Sequence, residues 1–218
     1  MRHLIPLTLL VTSFVTYLPS RTEAHPHVFV DVTGLFVMNE AGQLEAVRIH
    51  WLYDAFTTLV AVQNLGLDPD RDGVFDVADF SRIIAGETDW APEYEGDTYL
   101  RIGGEKMPLS RPQEPWAEAP GDQIGVGFTL YLDAPVDMAG KTAVLELYDP
   151  IYYYAYTVTD QSAVDGPLGE CTFDIVHFDP DAETAKLQRQ LQALSREAIP
   201  EDPNVGALFA EKLELTCP

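Results

Sequence analysis

The chain has 218 residues and a formal net charge of −22 at pH 7. A chain this acidic repels nucleic acid and anionic lipid, so we expect neither as a partner, and it attracts cations, including metal ions. With 46% hydrophobic residues, it is long enough to fold around a sizeable core as one domain.

The first residues have the pattern of a secretory signal. A short basic start is followed by an apolar run from Leu4 to Leu18, and small residues precede a cleavage point after Ala24. The run is too short for a membrane span. We therefore expect residues 1–24 to be removed. Residues 25–218 should then form a single periplasmic domain without direct membrane insertion.

Alternating apolar residues predict strands over most of the mature chain. Residues 27–38 and 44–53 form the first hairpin. Further strands are predicted at 99–102, 106–109, 124–132, 143–148, 152–158, 172–178 and up to Cys217. The proline-containing stretch 110–122 is predicted to be a loop, and helices are predicted at 181–198 and 205–210. The expected fold class is α+β, mainly β, with a β-sandwich-like core and a C-terminal helix.

Residues 54–90 are predicted to interrupt the sheet as an EF-hand-like helix–loop–helix. The first helix, 55–65, is capped by Asp54 and has Phe56, Leu59 and Val60 on one side. The second helix continues to Gly86. Only one such unit is visible, which favours a structural role for it rather than a regulatory one.

The loop between these helices is the most specific motif in the chain. Carboxylates stand at loop positions one, three, five, nine and twelve, and Gly73 stands at position six, where EF-hands turn sharply. The predicted calcium ligands are Asp68, Asp70, Asp72, the Val74 carbonyl, Asp76 and Asp79. Aspartate at position twelve is shorter than the usual glutamate, so we expect weak affinity. The alternative is an acidic turn that binds nothing.

The two cysteines, Cys171 and Cys217, are expected to form a disulfide in an exported protein. The bridge would close a loop of about 45 residues and stabilise by roughly 4 kcal/mol in the chain-entropy model. It would join the last strand to the strand at 172–178. Redox catalysis is not expected, because there is no CxxC pair.

Cleavage after Ala24 would leave His25-Pro26-His27 at the mature N-terminus. The free α-amine and imidazole of His25 could chelate one ion, and His27 lies about 7 Å further along an extended segment. These groups suit zinc, copper or nickel. The alternative is a frayed polar terminus. His50, beside Arg48 on a polar strand face, is expected to be exposed, and His177 lies before a turn.

Asp149 and the tyrosines that follow it form an unusual segment. Tyr152, Tyr154 and Tyr156 alternate, which predicts one aromatic strand face, and cross-strand packing accounts for most of this pattern. A second interpretation places Asp149 and Tyr152 at a pocket edge near the histidines.

Five sequence segments together carry a resemblance to a family. They are AHPHVFVD, VRIHWLYDAF, LGLDPDRDGVFDVADF, LELYDPIYYYAY and CTFDIV, followed by a terminal TC. In this order they resemble domain-of-unknown-function family 1007. Its members are described as the periplasmic component of an uncharacterised ABC-type transport system, associated with zinc, nickel or cobalt permeases. The resemblance implies transition-metal handling in the periplasm and an inner-membrane metal permease as partner.

The sequence thus predicts a non-enzymatic, periplasmic metal-binding accessory protein of a transition-metal transport system, with zinc at His25 and His27 and a structural calcium loop. No nucleophile elbow, phosphate loop or dinucleotide fingerprint is present. Two alternatives stay open. One is a calcium-stabilised binding or scaffold protein, and the other is a copper enzyme with an N-terminal histidine brace.

Overall fold

The structure, a computed structural model, describes residues 26–68, 70–195 and 198–218. The predicted signal peptide and His25 lie outside these ranges. In chain order the strands are β1 Val28–Met38, β2 Gln43–Tyr53, β3 Thr98–Ile102, β4 Glu105–Met107, β5 Gln113–Glu118, β6 Gly125–Asp137, β7 Thr142–Leu147, β8 Tyr154–Val158, β9 Ala163–Asp165, β10 Thr172–Val176 and β11 Glu211–Thr216. The helices are α1 Ala55–Leu65, α2 Val77–Thr88 and α3 Ala182–Gln192, with a 3₁₀ turn at Val205–Phe209.

The strands form two sheets. The first has the order β5-β6-β2-β1-β8, and β9 also pairs with β1. The second has the order β10-β11-β7-β3-β4. β1 pairs antiparallel with β2 but parallel with β8 and β9, so the chain returns to β1 only after completing most of the second sheet.

The two sheets share one hydrophobic core, as the predicted β-sandwich-like architecture requires. Every second residue is buried in β1 from Val30 onward and in β2 from Val47 to Tyr53, which follows from the two-residue period of a strand. Phe36 and Ile49 of the first sheet lie in the same buried cluster as Leu145 and Leu213 of the second. Gly34 allows the sheets to approach closely, since a Cβ there would lie 2.5 Å from the Leu213 side chain. The α+β, mainly β, fold class is confirmed.

The helix–loop–helix lies between β2 and β3. The Asp54 carboxylate caps α1 by accepting the Thr57 N–H at 2.8 Å. Gly66 ends the helix in the left-handed conformation, with φ of 61°. α2 extends to Thr88, two residues beyond the predicted end.

The predicted apolar side of α1 is wrong. Phe56, Leu59 and Val60 are exposed, and the helix instead turns Thr58 inward, with Ala61 and Val62 partly buried. The Thr58 hydroxyl accepts the N–H of Ile124, so this polar position is satisfied within the fold.

The stretch predicted to be a loop at 110–122 contains strand β5. Its prolines do not exclude pairing, because β5 is the edge strand of its sheet and pairs only with β6. The register shifts between Gln113 and Trp116, and Glu114 has φ of 51°, so Pro115 lies in an irregularity. Proline is tolerated at edges and bulges because no ladder hydrogen bond is lost there.

The predicted strand at 152–158 begins only at Tyr154. Tyr152 has φ of 57° and lies in the preceding turn. Its ring stacks on that of Phe209, with ring centres 4.3 Å apart, in a second and smaller hydrophobic cluster. Tyr154 and Tyr156 pack against the main core instead. The expectation that all three tyrosines share one face is therefore wrong for Tyr152.

The C-terminal part also departs from its predicted bounds. α3 ends at Gln192 rather than Ala198, and the predicted strand at 172–178 ends at Val176. Cys171 and Cys217 form the expected disulfide beside the paired strands β10 and β11. No helix among the described residues is long and apolar enough to cross a membrane.

Candidate functional site

Three carboxylates converge in the loop between α1 and α2. Asp68, Asp70 and Asp72 each offer an oxygen, and these oxygens lie within 4.8 Å of one another. Among the described residues, this is the one group of three or more acidic, histidine or cysteine side chains close enough to hold a metal ion. Oxygen ligands of this type suit calcium and other hard cations.

The loop backbone holds this cluster in shape. The Asp68 carboxylate accepts the N–H of Asp72 at 3.0 Å and that of Gly73 at 3.1 Å. Gly73 has φ of 79°, which glycine adopts without steric cost. The Asp72 carboxylate accepts the Val74 N–H at 2.8 Å. Two of the five predicted side-chain ligands, Asp68 and Asp72, are therefore held in place by the loop backbone.

Mutual repulsion is visible within the cluster. The pKa of Asp70 is raised, first by the hydrogen bond that it shares with Asp68 and then by the negative charge of Asp72. A bound cation would reverse this effect, because it favours the ionised form of every carboxylate around it.

Asp76 and Asp79 have other partners in this arrangement. Asp76 caps α2 by accepting the N–H groups of Ala78 and Asp79. Asp79 is 1% exposed, and its two oxygens accept from Arg82 and from the N–H groups of Asp68 and Asp76. This reciprocal capping box stabilises the helix start. Calcium ligation by these two aspartates stays a prediction, and it would require their carboxylates to turn.

The N-terminal histidine site lies partly outside the described residues. His27 is described. Its backbone N–H donates to the Tyr153 carbonyl at 2.8 Å, and its ring centre lies 4.6 Å from that of Tyr153. His27 is thus anchored beside the segment that follows Asp149. Metal binding by His25 and His27 stays a prediction.

Two further described histidines, His50 and His177, lie close to carboxylates. His50 is half-buried rather than fully exposed, stacks on Trp116 and lies 3.2 Å from Glu118. Burial lowers its pKa, and Glu118 opposes this shift. His177 lies 3.2 Å from Glu211. Neither histidine belongs to a group of metal-binding geometry among the described residues.

The side chains of Asp149 and Tyr152 line different cavities. The Asp149 carboxylate accepts the N–H groups of Ile151, Tyr153 and Tyr154, at 3.2, 2.6 and 3.1 Å, and so shapes the turn. It also lines a cavity with Trp51 and Tyr154. Tyr152 faces a different pocket and accepts a hydrogen bond from Gln188.

Sequence reasoning missed the acidic lining of the cavity beside Asp149. It has a volume of about 410 Å³. Three further acidic residues, Glu87, Asp89 and Asp97, line it. The rings of Trp51, Trp90 and Tyr156 line it as well. These residues come from four separate parts of the chain and have no common spacing. The one available signal was an excess of aromatic residues near acidic ones.

Comparisons with known proteins match almost the full chain. The sequence model of the family described as "Protein of unknown function (DUF1007)" matches residues 10–217. A relative from Haemophilus influenzae (strain ATCC 51907 / DSM 11121 / KW20 / Rd), described as an "Uncharacterized protein", is 25% identical over 198 residues. That alignment covers 89% of this chain and 91% of the relative. The similarity therefore extends over the sandwich and the helix–loop–helix together.

Proposed function

This chain belongs to the DUF1007 family, and from that premise we propose that it is an exported metal-binding accessory protein of a transition-metal transport system. Calcium binds the loop at Asp68, Asp70 and Asp72 and stabilises the helix–loop–helix. Zinc, or nickel, cobalt or copper in its place, binds His25 and His27 at the mature N-terminus. An inner-membrane permease in contact with the periplasm is the partner that exchanges this ion.

The observation that carries the proposal is the convergence of three loop carboxylates within 4.8 Å. Like charges this close repel one another, and a divalent cation removes that repulsion while supplying the six to eight oxygen contacts that calcium prefers. The overall charge of −22 adds a long-range attraction for cations.

The proposed transition-metal site is supported by the chemistry of its ligands and by the contacts that hold His27 in place. A terminal amine and two imidazoles suit zinc and copper better than calcium. His27 is anchored to Tyr153 through its backbone and its ring. An exposed terminal site with few ligands exchanges ions readily, as delivery to a permease requires.

The first part of the test is a calcium titration. Calorimetry on residues 25–218 should give one calcium site, which the double variant Asp70→Asn/Asp72→Asn loses. Asp133→Asn is the matched control, because it removes an exposed carboxylate on β6 outside the loop. Equal calcium affinity in the double variant and the control would contradict the loop assignment.

The second part is a zinc, nickel and copper titration of the same protein. The double variant His25→Ala/His27→Ala should lose the tightest site, whereas His177→Ala, a control histidine paired with Glu211, should retain it. Unchanged affinities in the double variant would contradict a transition-metal role and leave a calcium-stabilised binding protein. Peroxide-dependent activity of the copper-loaded protein would instead support the histidine-brace enzyme.

A further inference from the structure

The cavity beside Asp149 is lined by acidic and aromatic side chains that the proposed metal sites do not use. Its walls come from β2, the end of α2, the segment that leads into β3, and β8. The lining residues used below are Trp51, Glu87, Trp90, Tyr94, Asp97 and Tyr156. Its volume of about 410 Å³ is within the usual range for small-molecule sites.

The aromatic rings form continuous walls. The ring centre of Trp51 lies 6.3 Å from that of Trp90, in a stacked arrangement, and 6.2 Å from that of Tyr156. Trp90 meets Tyr94 edge-on, with ring centres 5.4 Å apart. The faces of such rings carry partial negative charge and attract cations within about 6 Å. The side chains therefore offer a surface that a soft, diffuse positive charge can occupy.

Carboxyl groups add a negative charge to these walls. Asp97 is 4% exposed and accepts the Tyr156 hydroxyl at 2.8 Å, while Glu87 accepts the Tyr53 hydroxyl at 2.6 Å. These hydroxyls orient the carboxyl groups but carry no positive charge. No Lys or Arg is among the described residues that line the cavity.

The cavity wall is also held in place from outside. The Arg111 guanidinium donates to the carbonyls of Trp90, Ala91 and Tyr94 and lies 5.9 Å from the Trp90 ring centre. Gly96 lies against Trp90 so closely that a Cβ would be 2.2 Å from the indole ring. The aromatic wall is therefore preorganised, which reduces the entropy lost when a ligand binds.

From this combination we infer that the cavity binds a small organic ammonium ion. The aromatic walls and the carboxyl groups contact the cation. A metal ion does not fit, because the described carboxylates that converge on one point are those of the Asp68–Asp72 loop and not those of the cavity. The inference does not depend on either metal site.

The titration of Asp97 agrees with a cationic ligand. Burial raises its pKa to about 7, against the hydrogen bonds from Tyr156 and Tyr94, and Asp149 adds a further upward shift. The other groups facing it, Tyr99 and Tyr154, have raised pKa values and stay neutral. A cation favours the ionised carboxylate, so affinity should rise with pH through about 7.

The test is a titration of calcium-loaded residues 25–218 with choline, ethanolamine and tetramethylammonium, followed by tryptophan fluorescence and calorimetry. The neutral carbon analogue of choline, 3,3-dimethyl-1-butanol, is the matched control ligand. We expect choline or ethanolamine to bind at millimolar concentration and to bind about tenfold more tightly than the neutral analogue. Failure of both choline and ethanolamine to bind, or equally tight binding of the neutral analogue, would overturn the inference.

One variant locates the site. Asp97→Asn keeps the side-chain shape and the positive φ of 49° that asparagine tolerates, and it should weaken binding of choline and ethanolamine about tenfold. Undiminished binding in this variant places the ligand elsewhere and overturns the assignment. If the variant does not fold, the comparison of charged and neutral ligands on the wild-type protein still decides.

Discussion

Two acidic regions of this protein use the same type of residue in opposite surroundings. In the loop, Asp70 and Asp72 are exposed and converge with Asp68. In the cavity, Asp97 is buried and accepts tyrosine hydroxyls. Water stabilises charge in the first region, whereas burial opposes it in the second.

This difference in surroundings selects different cations. Exposed, clustered carboxylates suit a small hard ion that demands several oxygens at short range. The buried Asp97 carboxyl, among aromatic rings and with a pKa of about 7, suits a larger ion with diffuse charge. The sign of the charge is common to both regions, but burial and spacing determine which ligand each accepts.

The largest expected effect is the pH dependence of stability that the buried Asp97 carboxyl causes. The pKa of Asp97 is about 7 in the folded protein against an ordinary 3.8, so the native state binds this proton more tightly than the unfolded state. The protonated form of Asp97 therefore contributes about 4 kcal/mol to the unfolding free energy. This contribution is complete below about pH 4 and is lost as the pH rises to about 7. Asp97→Asn should remove this loss.

Urea unfolding of both proteins between acid and weakly alkaline pH measures the effect. The difference in unfolding free energy, variant minus wild type, should increase as pH rises through the titration of Asp97. Asp133→Asn, which replaces an exposed carboxylate on β6, should run parallel to the wild type. Parallel curves for Asp97→Asn would show that the two acidic regions do not differ as described.

The next effect concerns the wall of the cavity. Gly96→Ala and Gly42→Ala both place alanine at a positive φ, of 68° and 73°, which costs about 1 kcal/mol each. Only at Gly96 would the new methyl also clash with Trp90. We expect Gly96→Ala to lower the unfolding free energy by about 3 kcal/mol, as measured by urea unfolding. Equal losses at the two positions would mean that Trp90 moves freely and that the wall is not preorganised.

Calcium should stabilise the loop by a smaller amount that depends on its concentration. A free concentration about a hundredfold above the dissociation constant adds about 2.7 kcal/mol, seen as a higher melting temperature. Asp70→Asn/Asp72→Asn should abolish the increase, and Asp97→Asn should leave it intact. If Asp97→Asn abolished it as well, the two regions would not be separate sites.

The smallest effect is expected from Asp70→Asn alone in the absence of calcium. Its carboxylate is exposed and repelled by Asp72, so neutralising it should not lower the melting temperature and should raise it slightly. Added salt should shrink the difference, since salt screens exposed charges. A clear drop in melting temperature would show that Asp70 makes a stabilising contact that repulsion does not describe.

Sequence reasoning succeeded where local chemistry decides and failed where distant segments meet. The cap at Asp54, the stop at Gly66 and the disulfide of Cys171 with Cys217 follow from composition and spacing. Strand β5 was missed because its proline is tolerated only at an edge, and edge position is a tertiary property. Tyr152 was misplaced because its turn conformation depends on Asp149, which accepts the N–H groups around it.

The two acidic regions illustrate the same limit. The loop carboxylates lie within five residues of one another, so their convergence follows from one local motif. The cavity joins Trp51, Glu87, Asp97 and Tyr156 through the packing of a sheet against a helix end. Neither composition nor periodicity contains that arrangement, and only the folded structure brings these groups together.

The most direct test of the metal assignment is a crystal structure of residues 25–218, grown with calcium and zinc and with both ions identified by anomalous scattering. Calcium should lie between Asp68, Asp70 and Asp72, and zinc at His25 and His27, with no metal in the cavity beside Asp97. Absence of both ions from these positions in calcium- and zinc-saturated crystals, or a metal coordinated by Asp97 and Glu87, would contradict it.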